Sequence, residues 1–98
     1  MARKVTSEKE VVLSILHYLK DLPKCHYISP HSNIYMPAGT PNIICVRNGV
    51  PFFIEAKKPG GQLSSIQQIQ MDRWLEAGAI VGVATSVEEA KDIIDDPA

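Results

Sequence analysis

The chain has 98 residues, of which 45% are hydrophobic and 21% charged, with a formal net charge of −1 and a pI of about 6.3. This length and composition suit one small folded domain, residues 1–98, and exclude a disordered chain. The charge excludes a uniformly basic nucleic-acid binder, and no apolar run approaches the ~20 residues of a membrane span.

The chain contains two cysteines, Cys25 and Cys45. No secretory segment precedes them, and neither belongs to a C-x-x-C pair. We therefore expect free thiols in a cytoplasmic protein rather than a disulfide or a zinc site.

The first predicted element is a helix that begins after Ser7 and ends near Leu22, before Pro23. Ser7 and Glu10 have the spacing of a capping box, and apolar residues recur behind them at helical intervals. Glu8 shares the inward stripe of this pattern, whereas Glu10 points closer to solvent. Both glutamates also have a simpler explanation, because acidic side chains stabilise a helix N-terminus.

A strand at 26–28, a polar loop at 29–33 and a short strand at 34–36 are predicted next. Gly39 ends a turn, where it allows positive φ or a close approach of the backbone to a substrate. Asn42 is then followed by four apolar residues, the turn pair Asn48-Gly49 and a second apolar run over 50–56. This pattern predicts a β-hairpin.

Glu55 and Lys57 lie near the end of the second hairpin strand, and their spacing of two places both side chains on one face. Two opposite charges on an apolar strand suggest metal-assisted phosphodiester hydrolysis. In that chemistry the Glu55 carboxylate holds Mg²⁺ and Lys57 orients or activates the attacking water.

Lys58, Gly60 and Gly61 belong to a loop with backbone N–H groups and adjacent lysines, which suits a phosphate. A plain strand-to-helix turn explains the same residues.

A second helix is predicted over 65–77, with Ser64 and Gln67 as a capping box. Its expected inner face consists of Ile66, Ile69, Gln70, Trp74 and Leu75.

The run 79–84 is apolar throughout and predicts a buried strand, parallel to the Glu55 strand because a helix connects them. Ser86 then caps a last helix that ends near Ile94. The predicted order is α-β-β-β-α-β-α, an α/β fold with a mixed sheet flanked by helices.

Three motifs together resemble the VRR-NUC family of the PD-(D/E)xK nuclease superfamily. They are Gly39-Thr40-Pro41-Asn42, then Phe53-Ile54-Glu55-Ala56-Lys57, then Gly60-Gly61-Gln62-Leu63-Ser64-Ser65-Ile66-Gln67. The resemblance extends over residues 8–90 and implies a restriction-endonuclease-like core. It also implies a metal-dependent, structure-specific DNA endonuclease, with a Holliday-junction resolvase acting as a homodimer on branched DNA as the candidate.

The resemblance further implies Mg²⁺ or Mn²⁺ as cofactor, held by Glu55, the carbonyl of Ala56, the residue at position 42 and Glu8. It places Gln67 in the active site, although a capping-box role explains that residue too. His31 and Asn33 lie where superfamily nucleases contact DNA, and the simpler view is that His31 is an ordinary surface histidine.

Asn42 departs from the family, which has aspartate at this position. An amide oxygen can bind Mg²⁺ but carries no negative charge, so we expect weaker metal binding and weaker water activation. The nuclease hypothesis therefore includes a weakened or inactive enzyme. The alternatives are a catalytically dead DNA-binding module of the same fold, and an interaction domain that binds no nucleic acid.

Overall fold

The computed structural model describes residues 6–30 and 36–95. Within these ranges the chain forms α1 (Glu8–Lys20), β1 (Cys25–Ile28), β2 (Ile43–Arg47), β3 (Val50–Ala56), α2 (Ser65–Glu76), β4 (Ile80–Ala84) and α3 (Val87–Asp95). The predicted element order is confirmed. Most of the predicted short strand at 34–36 lies outside the described residues. Of the helices in the described ranges, none combines the length and apolar character needed to cross a membrane.

Each helix begins after a serine whose side chain caps it. The Ser7 hydroxyl accepts a hydrogen bond from the N–H of Glu10 (3.1 Å), and the Glu10 carboxylate accepts one from the N–H of Ser7 (2.8 Å). Ser64 and Gln67 form the same reciprocal pair at α2, and Ser86 caps α3. Both predicted capping boxes are confirmed, and they provide partners for N–H groups that a helix leaves unpaired at its start.

The strands form one mixed sheet in the order β1-β2-β3-β4. β1 and β3 both pair antiparallel to β2, and β4 pairs parallel to β3 as predicted. Asn48 and Gly49 join β2 to β3 with φ of 51° and 80°. Two successive positive φ values are the geometry that Asn-Gly favours, so the predicted hairpin is confirmed.

The prediction that β4 is a buried strand is wrong. The strand order places β4 at an edge of the sheet, and its Val83 is 37% exposed. An apolar, β-branched run specifies a strand, but how much of it is buried depends on which elements cover it.

The main core lies on the face of the sheet that packs against α1 and α3. Alternate residues of β3 point to this face, and they cluster with buried residues from both helices: Phe52, Ile54, Ala56, Val11, Ile15, Leu19, Ala90 and Ile94. Cys45 belongs to the same cluster, and burial raises the pKa of its thiol to about 12. Both cysteines are free, as expected.

The opposite face of β3 packs against α2. The ring of Trp74 stacks on Phe53, with centroids 4.0 Å apart and planes 13° apart. Met71 is buried, whereas three residues predicted for the inner face of α2 are exposed: Ile66 (42%), Ile69 (44%) and Leu75 (58%). The prediction is wrong for these three residues and correct for Trp74, because the helix is rotated to direct Gln67, Met71 and Trp74 towards the sheet.

Candidate active site

Four chain segments meet at the carboxyl end of β3. Glu55 is the second-last residue of this strand, and Lys57 is the first residue after the strand ends. Asn42 immediately precedes β2, the antiparallel neighbour of β3, and Gln67 lies in the first turn of α2. Glu8, the first residue of α1, lies beside Lys57. The predicted catalytic and metal-site residues are therefore close neighbours in the fold.

Glu55 is the centre of this cluster and is only 2% exposed. One carboxyl oxygen, Oε1, accepts a hydrogen bond from the backbone N–H of Asn42 (3.2 Å). The other, Oε2, accepts one from Nε2 of Gln67 (3.2 Å). Burial raises the pKa of Glu55 to about 7, although the positive charge of Lys57 acts in the opposite direction. A buried carboxyl with two fixed donors is held in one orientation.

Lys57 places its ammonium between two carboxylates. Its Nζ lies 3.8 Å from Oε2 of Glu55 and 3.9 Å from Oε1 of Glu8. The Lys57 side chain is 14% exposed, and its backbone N–H donates to the carbonyl of Ala84 in β4 (2.9 Å). The parallel strand beside Lys57 thus fixes its backbone at the strand end, and the two carboxylates lie on either side of its ammonium.

Gln67 makes two contacts at once, one in the capping box and one with Glu55. Its Oε1 accepts the N–H of Ser64 in the capping box (2.9 Å), while its Nε2 donates to Glu55. The capping contact fixes which amide atom faces Glu55, so helix initiation and site geometry depend on the same side chain.

Glu8 and Glu10 are both exposed but make different contacts. Glu8 faces Lys57, with a side chain that is 48% exposed. The Glu10 carboxylate is directed back to the N–H of Ser7 in the capping box. Of the two, Glu8 therefore lies beside the cluster.

Asn42 and Ala56 are paired with each other. Oδ1 of Asn42 accepts the N–H of Ala56 (2.8 Å), and Nδ2 donates to the carbonyl of Ala56 (3.0 Å). These are the oxygens expected to bind a divalent cation together with Glu55. Among the described residues, no group of three His, Cys, Asp or Glu side chains could hold a metal ion. As they stand, the residues at positions 42 and 56 do not fit a shared metal ion.

Lys58, Gly60 and Gly61 form the turn that follows Lys57. The N–H of Gly61 donates to the carbonyl of Lys58 (2.8 Å), and Gly60 has φ of 83°. With Pro59 at the second position, this is the pattern of a type II turn. Lys58 is exposed. His31 and Asn33, the other predicted DNA-contacting residues, lie outside the described residues.

Two contributors to the site were missed or only partly foreseen. The hydroxyl of Ser29, to which the sequence analysis gave no role, donates to the backbone carbonyl of Asn42 (2.7 Å). Gly39 has the predicted positive φ, 82°. A Cβ on Gly39 would lie 2.6 Å from the carbonyl oxygen of Ile66. The close approach is therefore to the first turn of α2, and it brings that helix against the strand end.

A comparison with solved structures identifies the architecture. A structure described as a VRR_NUC domain matches the chain with a TM-score of 0.79 and 21% sequence identity, covering 95% of this chain and 99% of that one. The chain has the VRR-NUC fold. No protein-family model matches the sequence, and no curated protein matches it. The VRR-NUC likeness confirms the predicted fold, a mixed sheet flanked by helices, and at this identity it concerns the fold alone.

Proposed function

We propose that the chain is a nuclease-type domain that acts on DNA at the cluster of Glu55, Lys57 and Gln67. We further propose that Asn42 keeps its hydrolysis of phosphodiesters slow. The observation that carries this proposal is the meeting of a fixed carboxyl, an ammonium and an amide at the end of β3, in a chain with the VRR-NUC fold.

The positive groups at this strand end support a phosphate as the ligand. Lys57 is held in place and partly open to solvent, and the exposed Lys58 follows it. The first turn of α2 meets this strand end through the hydrogen bond between Gln67 and Glu55. This first turn contains no acidic residue. A helix N-terminus carries a partial positive charge and attracts phosphate groups. A local patch of this kind can bind DNA although the net charge of the chain is −1.

Hydrolysis assisted by Mg²⁺ or Mn²⁺ is the activity that the resemblance implies. The Asn42 amide lacks the negative charge of aspartate, and its oxygen already accepts the N–H of Ala56. These two properties support a low cleavage rate for this chain. The same pairing favours the alternative, a module that binds DNA and does not cut it.

Branched DNA and a homodimer belong to the same proposal. Two copies related by a two-fold axis would present two sites, as symmetric cutting of two strands requires. On the face of the sheet that α2 packs against, Ile28 and Val46 of β1 and β2 are 55% and 45% exposed. This exposed apolar pair is a candidate contact between the two copies. Ile28→Lys tests it, with the oligomeric state measured by sedimentation.

The function is tested by binding and cleavage with the same labelled four-way junction and its linear duplex control. We expect binding that weakens steeply with salt, because phosphate contacts release counterions. We also expect little cleavage by the present chain in Mn²⁺ and faster cleavage by Asn42→Asp. Lys57→Ala in the Asn42→Asp background should lose that gain. Failure of the present chain to bind either DNA at low salt would contradict the proposal.

A further inference from the structure

The Asn42 side chain differs from aspartate in its hydrogen bonds as well as in its charge. Ala56 offers one donor and one acceptor to the amide, so the amide pairs in one orientation only. Oδ1 faces the N–H and Nδ2 faces the carbonyl oxygen. The reversed amide would place oxygen against oxygen and NH₂ against N–H, with both bonds lost.

The backbone of Asn42 is fixed in the same way. Its N–H donates to Oε1 of Glu55, and its carbonyl accepts the hydroxyl of Ser29 (2.7 Å). Each of the four polar groups of Asn42 therefore has a partner at 3.2 Å or less. A partly buried polar residue with every group paired stabilises the position of its neighbours. Asn42 thus positions both the end of β3 and the Glu55 carboxyl.

The Nδ2 of Asn42 donates to the carbonyl oxygen of Ala56, which is one of the oxygens that the family resemblance assigns to a cation. It presents positive charge to the carbonyl oxygen of Ala56, as a bound cation would do. An approaching divalent ion would meet the hydrogens of this NH₂ group instead of a free oxygen pair. With aspartate at position 42, two oxygens would face each other at this point, and a divalent cation would relieve their repulsion.

We propose that the Asn42 amide substitutes for a divalent cation at this site, so that the site is fully assembled and binds DNA without metal. The part concerning DNA rests on the proposed function, whereas the part concerning metal does not. Asn42 is a positioning residue in this proposal, because it acts through Ala56 and Glu55.

The metal part is tested by thermal unfolding of the present chain and of Asn42→Asp, each in EDTA and in Mn²⁺. The Tm of the present chain should be the same in both. Asn42→Asp should have a lower Tm in EDTA, since its carboxylate faces the Ala56 carbonyl and Glu55. Mn²⁺ at about 100 times its Kd should raise the Tm of this variant by roughly 10–20 °C. A rise of equal size for the present chain would overturn the proposal.

Two controls separate this effect from a general response to charge or to loss of the amide. Asn48→Asp makes the same chemical change in the exposed hairpin turn and should give no Mn²⁺-dependent shift. Asn42→Ala should lower the Tm in EDTA and give no Mn²⁺ response, because it removes both hydrogen bonds to Ala56 without creating a metal ligand. Should Asn42→Asp fail to fold, calorimetric titration of Mn²⁺ into the present chain decides. Saturable binding that Glu55→Gln abolishes would refute the proposal, and absence of such binding supports it.

The DNA part uses fluorescence anisotropy with a labelled four-way junction. The present chain should bind with the same Kd, within about twofold, in EDTA and in Mn²⁺. A Kd at least tenfold weaker in EDTA would overturn metal-independent binding. No binding in either condition would contradict both the proposed function and the DNA part, while the melting curves and calorimetry still decide the metal part.

Discussion

Glu55 should make the stability of the chain fall as the pH rises from acid to neutral. Glu55 is only 2% exposed, and burial raises the pKa of its carboxyl from 4.5 to about 7 despite the opposing positive charge of Lys57. Between these two values the folded chain retains a proton that the unfolded chain has released. Its contribution to stability is therefore most favourable below pH 4.5 and declines towards pH 7. At about 1.4 kcal/mol per pH unit, this interval corresponds to about 3 kcal/mol.

Glu55→Gln removes the titrating carboxyl at nearly constant size. Urea unfolding at a series of pH values from 4.5 to 7.5 is followed by the fluorescence of Trp74, the single tryptophan, which stacks on Phe53. The difference in unfolding free energy between the present chain and the variant should change by about 3 kcal/mol across this range, because other groups titrate equally in both.

The exposed Glu76, in the last turn of α2, provides a matched control. Glu76→Gln should leave the pH profile of the present chain unaltered. Any fixed loss from the Gln67 hydrogen bond in Glu55→Gln would shift its curve without changing the slope. Parallel curves for the present chain and Glu55→Gln would refute the reasoning that burial controls this carboxyl.

Three further outcomes are expected. Lys57→Ala should keep the fold and reduce the slope of log binding constant against log salt for DNA by about 1, measured by anisotropy; an unchanged slope would remove Lys57 from the phosphate contacts. Gly39→Ala should lower the unfolding free energy by about 1–3 kcal/mol in urea and by more than Gly49→Ala, since both positions have positive φ and only the first meets backbone. Ile69→Lys should change stability by less than about 0.5 kcal/mol, whereas Met71→Lys should prevent stable folding, and similar losses for both would reverse the orientation assigned to α2.

The sequence predicted the parts of the fold that depend on local chemistry. Ser7 and Ser64 with their partners three residues later fix two helix starts, and Asn48-Gly49 fixes the hairpin through positive φ. The spacing of Glu55 and Lys57 likewise places both at one strand end, because alternation in a strand needs no tertiary information. These features are set by residues close in the chain.

The incorrect or incomplete predictions concern contacts between distant segments. The apolar residues of α2 suggested an inner face that includes Ile69, but the Phe53–Trp74 stack and the Gln67–Glu55 bond determine the rotation of the helix. Asn42 was expected to offer its amide oxygen to a metal ion, but its pairing with Ala56 depends on the antiparallel register of β2 and β3. No local pattern specifies such partners.

The two faces of β3 have an evolutionary consequence. Phe52, Ile54 and Ala56 support the core with α1 and α3, while the Asn42 side chain pairs with the backbone of Ala56 rather than with a core side chain. Substitution at position 42 therefore leaves the main core contacts intact. The codons for asparagine and aspartate differ by a single transition, so under the proposed function one nucleotide change separates a domain that holds DNA from one that cuts it. Selection can cross that boundary in either direction without rebuilding the fold.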